Sequence, residues 1–192
     1  MVRLTGQGIF HWLVKWHVQA YIWTVQTILG IDPALRHTGY GVLSRAGDGF
    51  LSREFGVIVN APKLRQSQCL MRIHDCVRDI IERLKPEACA IESVIYVQSY
   101  RTAITLGAAR GAAMIAATQA GLPIYEYPPR RVKQAIVGRG AADKQQVAFM
   151  VRARLGLNET PLPDAADALA IALTHFQTHD PRRPLPLDVE PL

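Results

Sequence analysis

Hydrophobic positions divide the chain into a strand-spaced region and a region of mostly helical spacing. From Thr27 to Asn60 they run together or alternate, and ILGID, TGYGVLSR and FLSREFGVIVN read as three strands. Thr38-Gly39, after Pro33, marks one turn and Asp48-Gly49 a tight hairpin. Three antiparallel strands therefore open the fold. Leu64, Leu70, Ile73, Val77, Ile80, Ile81 and Leu84 then recur near helical spacing, which predicts an amphipathic helix stopped at Lys85-Pro86. Cys89 to Ser93 (CAIES) is a short buried strand. Ser99 to Gln119 is an alanine-rich helix ended by Gly121, and its Gly107 and Gly111 suggest close packing against another helix or sheet, within the chain or across a dimer. LPIYEYPP is a fifth strand. RRVKQAIVG and ADKQQVAFMVRARLG are two helices with Gly138 and Gly140 loosening their link. Pro161 and Pro163 break the chain before a last helix, DAADALAIALTHFQ. This order predicts an α/β domain: a five-stranded mixed sheet, a three-strand antiparallel meander plus two parallel strands, flanked by helices.

Both ends fall outside that pattern. Residues 1–27 hold all three tryptophans (Trp12, Trp16 and Trp23), and His11, Lys15 and His17 interrupt their apolar run, so they form neither a signal peptide nor a spanning helix. An amphipathic interfacial or partner-binding helix is one reading. The favoured expectation is that residues 1–27 are not native, with Val25 as the alternative start. The tail DPRRPLPLDVEPL has four prolines and no periodicity, so residues 179–192 are expected to be disordered. One domain, 28–178, lies between.

Charge and cysteine content add to this picture. The net charge of +6 permits a polyanionic partner. The excess is local: Arg130, Arg131, Lys133, Arg139, Lys144, Arg152 and Arg154 face only one acid, Asp143, between residues 130 and 154. That predicts a basic face. Cys69, Cys76 and Cys89 form no CxxC pair and have no zinc-ligand spacing, which points to a reduced, cytoplasmic protein. No stretch of about 20 apolar residues exists to span a membrane.

Four acids stand out by position. Asp32 ends the first strand and Glu92 the fourth, while Asp164 and Asp167 open the last helix three residues apart, on one side of it. A carboxylate at the end of a buried strand needs a partner, and a salt bridge or a metal ion would serve. Acids in a first helical turn are also ordinary capping and dipole partners. Taken together, however, the first and fourth strands are expected to be neighbours, and ligands bind open α/β sheets at the carboxyl ends of the strands. Four carboxylates brought to one cleft repel and need cations. Oxygen-only donors suit Mg²⁺ or Mn²⁺ rather than zinc. Two such ions activate water and stabilise a leaving oxygen, and an adjacent basic segment holds phosphates. The pattern reads as a metal-dependent nuclease.

The motifs ILGIDPALRHTGYGV, AIESV, LGAARG, VKQAIVGRGAADKQQV and DAADALAIALTH, spread from Ile28 to His175, resemble the RuvC family of bacterial Holliday-junction endonucleases. The resemblance implies the ribonuclease H-like fold and a homodimer that makes paired nicks across a four-way DNA junction in recombination and repair. It implies Mg²⁺, two ions per site with Mn²⁺ able to substitute, and a RuvA/RuvB branch-migration complex as partner. By motif, Asp32, Glu92, Asp164 and Asp167 are the metal-binding catalytic carboxylates. Lys133 and Lys144 match basic positions that contact the DNA backbone, and Arg110 matches a further basic position. Two motif positions depart from the family: Ala34 stands where glycine is usual, and Ile95 where an aromatic is, and either Tyr96 beside it takes the junction-wedge role or the match is shifted there by one residue. A sugar-kinase-type ATPase would need a second glycine-rich loop and about twice the length. A related RNA-directed nuclease, of the YqgF group, typically lacks the long helical insert and the DAADALA ending. A binding module without cleavage has no use for four acids that repel DNA.

Overall fold

The computed structural model describes residues 26–94, 99–180 and 190–192. The three tryptophans, Val25, Tyr96 and most of the proline-rich tail therefore lie outside the described residues. The strands are β1 (Thr27–Asp32), β2 (His37–Ala46), β3 (Gly49–Val59), β4 (Ala88–Glu92) and β5 (Ile124–Tyr127). The helices are α1 (Gln66–Leu84), α2 (Tyr100–Gln119), α3 (Pro129–Val137), α4 (Lys144–Leu155) and α5 (Pro163–Thr178). The strands form one mixed sheet in the order β3-β2-β1-β4-β5. The β1–β2 and β2–β3 pairs are antiparallel, and β1–β4 and β4–β5 are parallel.

Both faces of β1 and β4 are covered, which is why these strands read as near-continuous apolar runs. Leu29, Ile31, Cys89 and Ile91 pack with Ile73, Val77 and Ile80 of α1 and Ala109, Ala113 and Ala116 of α2. Ile28, Ala88 and Ala90 join Val132 and Ile136 of α3, Val147 and Val151 of α4, and Leu169 and Leu173 of α5 in a second core cluster. The result is a three-layer helix–sheet–helix sandwich. The helix α5 is apolar nearly all round because it lies between the sheet and α3–α4, and twelve of its sixteen residues are buried.

Three local expectations need correction. The β2–β3 turn is Gly47-Asp48, because Ala46 pairs with Gly49; Gly47 takes φ +58°, which a side chain would resist. Within the chain Gly107 and Gly111 make no close approach, since a Cβ on either would meet nothing within 4 Å, so only their packing across a dimer is left as an expectation. The buried alanines of α2 do that packing instead. The basic stretch is also partly committed internally: Arg154 donates to the carbonyls of Ala135 and Ile136 at the end of α3, and Arg152 to that of Leu157.

Candidate active site

Strand alternation aims the first two acids. In β1, Ile28 and Gly30 share the face of Asp32; in β4, Ala88 and Ala90 share the face of Glu92. Ile28 and Ala88 pack in the α3–α5 layer, so both acids point to that side. The parallel register pairs Ile28 with Ala88 and Ile31 with Ile91, and carried on by one residue it sets Asp32 level with Glu92. From the other direction comes the start of α5. Gly39 pairs with Asp32 across β1–β2, and a Cβ on Gly39 would overlap the backbone of Asp164. Gly30 is under the same constraint beneath Ala168 and Ala172. Without these glycines α5 could not lie so low on the sheet. Pro163 at the first helical position fixes the start of α5, whose N-cap is Leu162, with no side-chain cap bond. Asp164 is therefore not the N-cap.

The loop after Asp32 is pinned by Thr38, which is fully buried and donates its hydroxyl to the carbonyl of Ala34 at 2.6 Å. Ala34 lies outside the positive-φ region, so the departure from glycine causes no backbone strain there.

Electrostatics show that these acids share one cleft. Burial first, then repulsion from Glu92 and Asp167, pushes the Asp32 carboxyl up to about 7, with Lys144 partly offsetting this and Asp164 adding to it. Glu92 is raised to about 6 by burial and by Asp167, against the opposing charges of Lys144 and Lys133. The donor set is carboxylate oxygen, which suits hard divalent cations. The ligands are not preassembled, however: among the described residues no group of three or more His, Cys, Asp or Glu side chains could hold an ion as it stands.

The predicted basic residues separate into different roles. Lys144 is the first residue of α4, and its Nζ lies 2.8 Å from Asp167 Oδ2. Lys133, on α3, is half-buried and close enough to Glu92 to lower its pKa. Arg110 is instead engaged within the protein, with its guanidinium paired to Glu126 of β5 on the α2 side of the sheet. His37, at the start of β2, is exposed.

The sequence reading also missed a buried polar cluster beside the site. Tyr127, in register with Glu92, shares a 2.9 Å hydrogen bond with His175 Nδ1, and His179 donates from Nδ1 to the His175 carbonyl. Burial, then His179 and Arg45, holds the His175 pKa well below its ordinary value, so its ring is neutral and Nδ1 can accept the Tyr127 hydroxyl. The bond ties β5 to α5, close to where β4 ends. The only sequence signal was a histidine inside an otherwise apolar helix.

The family model of the crossover junction endodeoxyribonuclease RuvC matches residues 28–175. This chain belongs to the RuvC family. A RuvC from Akkermansia muciniphila is 53% identical over 156 residues, covering 80% of this chain and 92% of the relative. A RuvC from Chloroflexus aggregans is 45% identical over 151 residues, covering 78% and 92%. Among solved structures, Thermus thermophilus RuvC in complex with Holliday junction substrate superposes with a TM-score of 0.78 at 39% identity, covering 87% of this chain and 99% of that one. A yeast mitochondrial Holliday junction resolvase at 12% identity and TM-score 0.55 shares the fold. The sheet is thus of the ribonuclease H-like type, and the chain is a nuclease of a divalent-metal-dependent family. No helix among the described residues is long and apolar enough to cross a membrane.

Proposed function

We propose that this chain, through the domain spanning residues 28–178, resolves four-way DNA junctions by paired metal-dependent nicks that leave 5′-phosphate ends. The observation that carries this reading is the meeting of acids from three separate elements, β1, β4 and α5, in one cleft with Lys133 and Lys144 at its side. Asp32, Glu92, Asp164 and Asp167 would hold the divalent ions, two per site on this reading, and their carboxylate oxygens suit Mg²⁺ or, in its place, Mn²⁺. When bound, such ions lower the pKa of the attacking water and stabilise the leaving oxygen. Lys133 orients the phosphate next to Glu92. The junction-wedge role falls to Ile95 or to Tyr96 next to it, both outside the described residues.

Two nicks on opposing strands require two active sites, and the chain acts as a homodimer. The outer face of α2 supports this: Tyr100, Ile104 and Ile115 are exposed along one apolar stripe that also contains Gly107 and Gly111. The branch-migration complex RuvA/RuvB is the proposed functional partner and the cytoplasm the proposed location.

The test is a synthetic junction with Mg²⁺. Wild type should nick two opposed strands, while Asp32→Asn should bind the junction with equal or greater affinity and leave it intact. Cleavage by Asp32→Asn at the wild-type rate would remove Asp32 from the reaction.

A further inference from the structure

We infer that Lys144 is the resident counter-ion of the metal-free site, a tethered cation that a divalent ion must displace and that is then released to a phosphate of the substrate. The inference rests on the proposal that the four acids bind metal. Three observations lead to it. The first is where Lys144 sits. It is the first residue of α4, directly after the N-cap Asp143. The helix dipole disfavours a cation at that end, where anions are favoured, so the helix itself gives no reason for a lysine there. Its position is also well fixed. Asp143 accepts the Gln146 N–H at 2.8 Å while Gln146 accepts the Asp143 N–H, so both capping bonds hold the backbone around Lys144 in place.

The second observation is what it touches. Lys144 Nζ is 2.8 Å from Asp167 Oδ2, and its charge is also felt by Asp32 and Asp164. One ammonium thus contacts one carboxylate and lies within electrostatic reach of two more. Among the described residues Lys133 forms no ion pair with these acids, which separates the roles of the two lysines.

The third observation is how loosely the pair is held. The Lys144 side chain is 70% exposed, against 22% for Asp167. Solvent screens an ion pair of this kind and little energy is lost on breaking it, so the lysine can leave. The carboxylates are meanwhile not gathered into a coordination shell. Ion binding therefore means drawing the acids together and expelling the ammonium. The flexible four-carbon stem lets Nζ move while the helix start stays fixed. An expelled ammonium at the mouth of the cleft finds its next anion in the phosphate backbone. Metal occupancy and substrate grip are then coupled through one side chain, and the coupling is reciprocal.

The experiment is calorimetric titration of Mn²⁺ into DNA-free, full-length protein, comparing wild type with Lys144→Met, Lys144→Arg and Asp32→Asn. Losing a unit charge a few ångströms from the ion should tighten Mn²⁺ binding by about tenfold in Lys144→Met. Lys144→Arg should stay near wild type because the charge remains. Junction affinity measured in Ca²⁺ should fall in Lys144→Met and be retained in Lys144→Arg. Mn²⁺ affinity that is unchanged or weaker in Lys144→Met would overturn the counter-ion role, since a lysine that merely positions Asp167 gives that result. If Asp32→Asn leaves the Mn²⁺ isotherm unaltered, the acids are not the metal site, and the underlying proposal fails instead. The Lys144 side chain is mostly solvent-exposed, and matching circular dichroism spectra would confirm that the variants fold alike.

Discussion

A buried carboxylate raised to about pH 7 is a stability liability in the metal-free protein, and Asp32→Asn should relieve it. The carboxyl rises from an ordinary value of 3.8 to about 7, a difference of about 3 units, and at about 1.4 kcal/mol per unit this makes the ionised form unfavourable by about 4 kcal/mol. Because the folded pKa is the higher one, the folded state holds the proton more tightly than the unfolded chain. The stabilisation is complete below pH 3.8 and is lost as pH rises through about 7. Asparagine has the same shape and no charge to bury. In EDTA at pH 8, Asp32→Asn should therefore be more stable by about 2 to 4 kcal/mol, a rise in Tm of roughly ten degrees for a chain of this size. The gain should shrink steadily towards pH 4. Urea denaturation across that range, with thermal melts beside it, measures the effect directly. Excess Mn²⁺ should reverse the order, because an ion that binds only the folded state stabilises wild type and not the variant. A variant no more stable than wild type at pH 8 in EDTA would refute the reasoning, since it would mean that Asp32 is already neutralised by a protein partner.

Three further outcomes follow from the packing and charge around the site. Gly39→Ala should lift the start of α5 away from β2, costing about 1 to 3 kcal/mol in chemical denaturation and lowering kcat sharply by displacing Asp164; wild-type kcat would show that Asp164 needs no such close seat. Lys133→Ala should weaken junction binding and flatten its salt dependence by about one unit of slope, whereas an unchanged slope would mean that Lys133 meets no phosphate. Neutral, buried His175 favours the folded state above its ordinary pKa of 6.5, so this contribution should fade as pH drops below 6.5 and be absent in His175→Phe; an identical pH dependence in the variant would assign that acid sensitivity elsewhere.

The features legible in the sequence were those written in local pattern. β1 and β4 are buried on both faces, so their apolar runs stand out, and each ends in an acid that lines the cleft. The helix α5 announced itself by alanines and two acids three apart. What could not be read were facts about the facing element. Gly39 looks like an ordinary turn glycine until α5 is placed against it. Arg110 carries the charge of a DNA contact but meets Glu126, sixteen positions away, across a packing contact that no spacing rule predicts. Arg154 resembles part of a basic face yet terminates α3. Lys144 was read as a phosphate contact, and its pairing with Asp167 depends on how α4 meets α5. The Asp48-Gly49 signal was off by one residue because Gly47 offers the positive φ one position earlier.

The central claim is junction-selective, metal-dependent cutting by the four-acid cleft. Its most direct test is a single-turnover comparison, in Mg²⁺ and in EDTA, of a four-way junction with a linear duplex carrying the same sequence. The account predicts paired nicks in the junction, little cutting of the duplex and none of either without metal. Equal rates on both substrates, or cleavage that survives EDTA, would contradict it.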